Sequence, residues 1–387
     1  MRRHLCGLAA LLLAVAGAAQ AAEPYVVDVI LPLTGPGALL GTTEHRTLQR
    51  FEESYATGKT IGGRPLHFEF HDDQSNPQTS VQLANEIVAK KPAVMLGSAL
   101  VAMCNATTPL MRRGPVEYCF SPGIRPAPGG YVFSGSVGTK DLGASLLRFF
   151  RMKGLTRIGL VTSTDASGQD ALRNMHELFA APENKELAIV SEQTFNPADI
   201  SASAQIERIK GASPQAVIAW STGAAIGIVF KAIRDAGLDV PVATTDGNQT
   251  FATMDRFAAI LPTTLYIPSP AWMKSDRIEE DKAVTAEKNA FFAALASTDI
   301  KPDNAASLAW DPALLVFTAL QKLGPAATAE QVRDYFAALK GFAGTKGTYD
   351  FPAVPQRGLG EDNVVITLWD KAAQTWTVAS KARGVPF

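Results

Sequence analysis

The chain has 387 residues, 47% hydrophobic and 19% charged, with 36 basic side chains against 37 acidic ones and a formal net charge of −1. Such an apolar fraction excludes a disordered chain, and without a basic cluster a nucleic acid or an anionic membrane surface finds nothing to hold. Five histidines and three cysteines fall at no zinc spacing, so neither a metal nor another cofactor is expected.

The first 21 residues open with Arg2 and Arg3, continue through a short apolar run from Gly7, and end in Ala19-Gln-Ala21. That is the layout of a secretory signal peptide over 1–21, predicting an exported mature chain from near Ala22. The run is too short for a membrane span and no later run approaches one, so the mature protein is not expected to be membrane-inserted. Cys6 precedes the apolar run rather than the cleavage site, which gives no sign of a lipid anchor. Loss of Arg2 and Arg3 from 36 basic residues, against 37 acidic, leaves a mature net charge of −3. About 365 residues suit two domains with ordinary cores.

Residues 25–32 read as a first strand, 33–41 as a glycine-rich loop and 42–56 as a helix. The loop lacks the G-x-G-x-x-G spacing of a dinucleotide site, and Gly58-Lys-Thr60 lacks the upstream glycine of a P-loop. At a strand's carboxyl end the loop is still placed to line a cleft. Residues 65–73 alternate with period two, a partly exposed strand. Its His67 and His71 stand too far apart to chelate readily. Asn76-Pro-Gln starts a helix through Lys90.

Residues 93–96 are apolar without alternation, the pattern of a buried parallel strand. Gly97-Ser98 turns the chain into a helix over 100–111. Residues 116–120 form a second such strand, turning at Ser121-Pro122-Gly123. Ligands gather at the carboxyl ends of such strands, and free N–H groups beside a hydroxyl suit a carboxylate. Either serine alone also reads as a turn or cap residue; two on consecutive strand ends point to a ligand. Cys104 and Cys119 fall on this helix and strand. As the only mature cysteines of an exported chain they are expected to be bridged, two buried free thiols being the alternative.

The first hundred residues thus make a doubly wound α/β lobe. After a short strand at 131–134 the alternation restarts near residue 140. Strands at 156–163, 187–195, 215–220 and 240–244 alternate with helices, opening loops at Asp165, Ser221 and Thr245. Residues 265–270 leave this second lobe, helices at 279–295, 304–322 and 329–339 cover the first, and strands at 347–351, 364–369 and 375–379 return. The expected division is 22–137 with 270–344 for lobe 1, and 138–269 with 345–387 for lobe 2.

Leu31-Pro-Leu-Thr-Gly, His71-Asp-Asp-Gln-Ser-Asn-Pro, Gly97-Ser98, Phe120-Ser-Pro-Gly123, Asp165-Ala-Ser-Gly168, Ala236-Gly-Leu238 and Thr245-Asp-Gly247 occur in this order. Over the whole mature chain this resembles the type I periplasmic solute-binding proteins of ABC transporters. It looks most like the leucine/isoleucine/valine-binding family and its relatives that take aromatic acids. The resemblance implies an α/β fold of two doubly wound Rossmann-like lobes, joined by a three-strand hinge near Ser136, Pro268 and Thr345, that closes on a ligand. It implies a periplasmic monomer that serves the membrane permease subunits of an importer. In such proteins the first lobe holds a carboxylate, here at Ser98 and Ser121 with Ala99, Leu100, Phe120 and Gly123. The second lobe adds Asp165, Ser167, Trp220, Thr222 and the acidic Asp246. Where amino-acid binders often carry tyrosines, Ser167 and Trp220-Ser-Thr-Gly223 stand instead, and Phe120 and Trp272 add aromatic surface. Asp246 favours an amino acid, whose ammonium it would pair; the missing tyrosines favour an aromatic acid. A hydrolase would need a nucleophile elbow, and no G-x-S-x-G is present; an extracellular sensing domain would ordinarily bring a membrane span.

Overall fold

The computed structural model describes residues 22–387; the signal peptide expected over 1–21 lies outside the described residues. Six strands build the first sheet: β1 (Tyr25–Leu31), β2 (Thr60–Ile61), β3 (Arg64–Asp72), β4 (Val94–Gly97), β5 (Val116–Cys119) and β6 (Val132–Ser134), in the order β2-β3-β1-β4-β5-β6. All pairs are parallel except β2 with β3. Every residue of β4 and β5 is buried, because helices cover both faces of a parallel sheet.

The crossovers are α1 (Ala38–Arg50), α2 (Pro77–Lys90) and α3 (Val101–Thr107). Asn76 caps α2 by accepting Gln78 and Thr79 N–H, and Pro77 occupies its first turn, where no N–H is needed. The helix expected over 100–111 is α-helical only to Thr107, and 108–110 tighten into a 3-10 turn. Pro109 has no N–H to continue the ladder. Cys104 of α3 and Cys119 of β5 are disulfide-bonded, with Cα atoms 6.3 Å apart.

The second lobe begins at α4 (Thr139–Met152). Strands β7 (Arg157–Ser163), β8 (Ala188–Phe195), β9 (Ala216–Trp220), β10 (Val242–Ala243) and β11 (Leu265–Pro270) alternate with α5 (Ala166–Phe179), α6 (Ser203–Gly211), α7 (Ile226–Asp235) and α8 (Phe251–Arg256). Then α9 (Lys282–Ala296), α10 (Asn304–Leu323) and α11 (Ala329–Ala338) follow. A hairpin, β12 (Lys340–Gly344) with β13 (Gly347–Asp350), precedes β14 (Val364–Asp370) and β15 (Thr375–Val378). The second sheet runs β15-β14-β11-β10-β9-β7-β8, with β14 antiparallel to both neighbours.

Helix α10 docks on α1, as expected of a cover for the first lobe. Trp310 meets Phe51 edge-on at 4.9 Å and Phe291 at 5.4 Å between ring centroids, a favourable arrangement of ring quadrupoles. Beyond the expected division at 344/345 the chain stays beside first-lobe residues. Strand β13 pairs with β12 rather than entering the second sheet. Tyr349 donates its hydroxyl to Asp311 of α10, Phe351 packs on Phe133 and Phe336, and Gln356 bonds to Gly130 and Val132 carbonyls. Buried rings and hydrogen bonds therefore hold residues 349–356 against the first lobe's strands and α10.

Candidate ligand-binding site

Both sheets direct their carboxyl ends into one cleft, a cavity of about 560 Å³. From the first lobe come Pro36, Gly37 and Leu40 after β1, Ala99 to Met103 after β4, and Ser121 to Gly123 after β5. From the second come Asp165 to Ser167 after β7, Asn196 to Ala198 after β8, Trp220 and Thr222 after β9, and Thr245 and Gly247 after β10. This is the crevice where open α/β sheets bind ligands.

Local structure sets the chemistry of each wall. No side chain caps α3, so its first-turn N–H groups are available where Val101 to Met103 meet the cavity. The Ser121 hydroxyl accepts the Gly123 N–H at 3.4 Å, and among the described residues nothing takes its own proton. Opposite, Asp165 caps α5: its Oδ1 accepts from Gly168 N at 3.0 Å and from Ser163 Oγ at 2.8 Å. Ser167 and Thr222 hydroxyls share a hydrogen bond of 3.1 Å. Among the described residues Asp165 is the one ionisable side chain on the cavity wall.

The lobes touch at both edges of the cleft. Gly223 has φ +77°, and a Cβ there would lie 2.8 Å from the Pro36 carbonyl oxygen, so this position excludes side chains on two counts. At the other edge Arg125 reaches Asp170 Oδ1 and Asn174 Oδ1 of α5, both at 3.1 Å.

Of the residues expected at the ligand, Ala99, Leu100, Ser121, Gly123, Asp165, Ser167, Trp220 and Thr222 line the cavity. Ser98, Phe120 and Asp246 do not. Ser98 donates its hydroxyl to Asp73 Oδ2 at 2.7 Å, which turns it into the lobe. Phe120 belongs to the hydrophobic core with no exposure. Asp246 is fully buried behind the wall, accepting from Thr245 Oγ1 at 3.1 Å and Ser136 Oγ at 3.3 Å. Burial pushes its carboxyl up to about 6, against the lowering effect of those hydrogen bonds. Trp272, expected as aromatic surface, instead donates its N–H to Gln249 at 2.9 Å inside the fold. Met103, Ile228 and Leu308 also line the cavity and were not foreseen. Leu308 sits on a helix buried nearly all round, which carries no amphipathic signal.

Asp28, Glu69 and His71 bring ligand-type atoms within 4.8 Å of one another. Lys90 already serves as their cation, with Nζ 2.8 Å from Asp28, so the cluster is an ion-pair network.

A profile described as "Periplasmic binding protein" matches residues 24–374. Leu/Ile/Val-binding protein homolog 3 of Brucella melitensis is 22% identical over 236 residues, 59% of this chain and 63% of that protein, so the match spans less than two thirds of the relative's length. In structure the chain is similar to an extracellular ligand-binding receptor from Rhodopseudomonas palustris HaA2, with TM-score 0.77 and 19% identity over 92% of this chain and 99% of that one. A solute-binding protein of an ABC transporter from R. palustris in complex with benzoate gives TM-score 0.77 and 21% identity, covering 94% and 97%. The substrate-binding protein LivJ from Streptococcus pneumoniae in complex with isoleucine gives 0.73 and 17%, covering 92% and 99%. At these identities the structural likenesses establish the fold. Among the described residues no helix is long and apolar enough to cross a membrane.

Proposed function

The chain belongs to the periplasmic binding protein family, and from that premise we propose that it is the exported substrate-binding component of an ABC importer. It holds a small carboxylate-bearing ligand between its lobes and presents the closed complex to membrane permease subunits. Family members are binding proteins, not enzymes. The observation that carries the reading is the cavity of about 560 Å³ lying where the two sets of strands end. The ligand carboxylate is received by the Ser121 hydroxyl and the uncapped N–H groups of α3, and the second lobe closes over the remainder with Ser167, Trp220 and Thr222. Relatives solved with benzoate and with isoleucine both hold carboxylates, which supports this class of ligand. The leader-like residues 1–21 support a periplasmic location.

The test is a thermal-shift screen of the mature protein against amino acids and organic acids. A true ligand at a hundredfold excess over its dissociation constant stabilises the folded state by about 2.7 kcal/mol. A folded protein that no compound stabilises would sink the reading.

A further inference from the structure

We propose that Arg357, which is not on the cavity wall, is a positioning residue for ligand binding. Its guanidinium fixes the Ser121–Gly123 loop with the Gly123 N–H turned toward the ligand's anionic group. The inference rests on the proposed role of the cleft and adds to it a residue that acts from behind the wall.

Residues 121–124 follow β5 outside any helix or strand. Among the described residues no backbone N–H serves the carbonyls of Ser121, Pro122 or Ile124. Side chains serve them instead. Arg357 Nη2 donates to the Pro122 carbonyl at 3.0 Å and to the Ile124 carbonyl. Its Nη1 donates to Ser134 Oγ at 2.7 Å and to the Ser136 carbonyl at 2.9 Å. Ser134 passes the contact on, its hydroxyl donating to the Ser121 carbonyl at 2.8 Å. One guanidinium thus gathers the loop's carbonyls on its own side, a task for the planar fork of an arginine rather than the compact ammonium of a lysine. The chain at Arg357 is itself held. The neighbouring Gln356 accepts the Ser134 N–H at 2.9 Å and donates to the Gly130 and Val132 carbonyls.

Peptide geometry carries this arrangement into the cleft. In a planar trans peptide the C=O of one residue and the N–H of the next point in opposite directions. With the Pro122 carbonyl drawn to Arg357, the Gly123 N–H faces away from it, toward the Ser121 hydroxyl at 3.4 Å. Both residues line the cavity there. A bond of that length is weak, so the N–H is available to a better acceptor. Charge works in the same direction. Desolvation lowers the Arg357 pKa to about 10, against the raising effect of Asp141, Asp170 and Asp246, and the group is a cation at neutral pH. Its four hydrogen bonds all end on neutral oxygens. The positive charge therefore lies, without a hydrogen-bonded carboxylate, behind the peptide groups that meet an anion.

Two variants of the mature protein test this. In crystals of Arg357→Met the Pro122–Gly123 peptide is expected to rotate and withdraw the Gly123 N–H from the cavity. Arg357→Lys keeps the charge, loses only the fork and is expected to move the same peptide, which serves should Arg357→Met not fold. An unmoved peptide overturns the inference, whatever the protein binds. Calorimetry gives a second readout with benzoate and isoleucine, the ligands of two similar proteins, each paired with its carboxamide. Both variants are expected to weaken the carboxylates by roughly tenfold or more, and benzamide and isoleucinamide by a smaller factor. Equal factors for acid and amide mark a generally damaged cleft and overturn the positioning role. Wild-type protein that takes up neither carboxylate counts against the reading of the cleft, while the orientation of the peptide still decides the role of Arg357.

Discussion

Glu117 shows how strongly position overrides composition. It lies in the middle of β5, with no exposure, and its Oε1 accepts the Thr107 hydroxyl while Oε2 has no partner among the described residues. Burial pushes its carboxyl up to about 8, the Thr107 hydrogen bond acting weakly the other way. Below about pH 4.5 the folded and unfolded chains both carry a proton here, and its stabilising contribution is complete. Between there and pH 8 the unfolded chain ionises first, so the contribution falls as pH rises through the folded value. Glu117→Gln should lose this slope and exceed the wild type in stability at pH 9, by as much as ~5 kcal/mol for a shift of this size. Parallel curves of melting temperature against pH for the two proteins would refute it. The two serines separate by the same reasoning. Ser121→Ala should cost about 1.5–3 kcal/mol of ligand affinity, the worth of a hydrogen bond to a charged group. Ser98→Ala should instead lower the melting temperature, because its hydroxyl serves buried Asp73. Calorimetry with scanning on both variants checks the contrast; equal loss of affinity would contradict it.

Among the elements, α3 depends most on what surrounds it. Seven residues are too few for a helix to persist alone in water. Packing on the sheet and the Cys104–Cys119 bond, spanning 15 residues, hold it where its amino end meets the cleft. Closing a loop of that length stabilises by about 3 kcal/mol in the chain-entropy account. The Cys104→Ser/Cys119→Ser double variant should therefore melt several degrees lower and bind ligand more weakly, since a frayed α3 presents its N–H groups less well. Unchanged unfolding with and without reductant would count against this. The contrasting case is α10, where burial nearly all round makes propensity and periodicity irrelevant: core packing alone positions Leu308.

At the scale of the whole molecule, three crossings would let the lobes move as bodies, and the structure has them in contact across the cleft. At Gly223 the backbones of the two lobes come close. In Gly223→Ala the new Cβ meets the Pro36 carbonyl oxygen, and the backbone angle is strained besides. Closure should be blocked, with affinity falling at least tenfold. Small-angle scattering with saturating ligand should show the wild type contracting and the variant staying expanded. Equal contraction of both would exclude this contact as a limit on closure. The Arg125 tie to Asp170 and Asn174 is a weaker constraint, because its side chain is 55% exposed and such pairs contribute ~1 kcal/mol or less.

Strand and helix alternation, the restart of the second lobe and the even cysteine pair were all legible in the chain, because periodicity, turn residues and counts are local properties. So were eight of the positions that line the cavity, since they lie where apolar strands end in small residues. The direction of a side chain at such an end is another matter. Ser98 and Ser121 look alike in sequence, yet a carboxylate on Asp73, brought alongside by the sheet, claims the first and leaves the second free. Asp246 looks like a cleft residue until Ser136, from the first crossing, draws it inward. Strand 347–351 reads as a return to the second lobe, but Asp311 and Phe336 hold it on the first. Each outcome depends on a partner tens to more than a hundred residues away, and only the folded chain brings those partners within hydrogen-bonding distance.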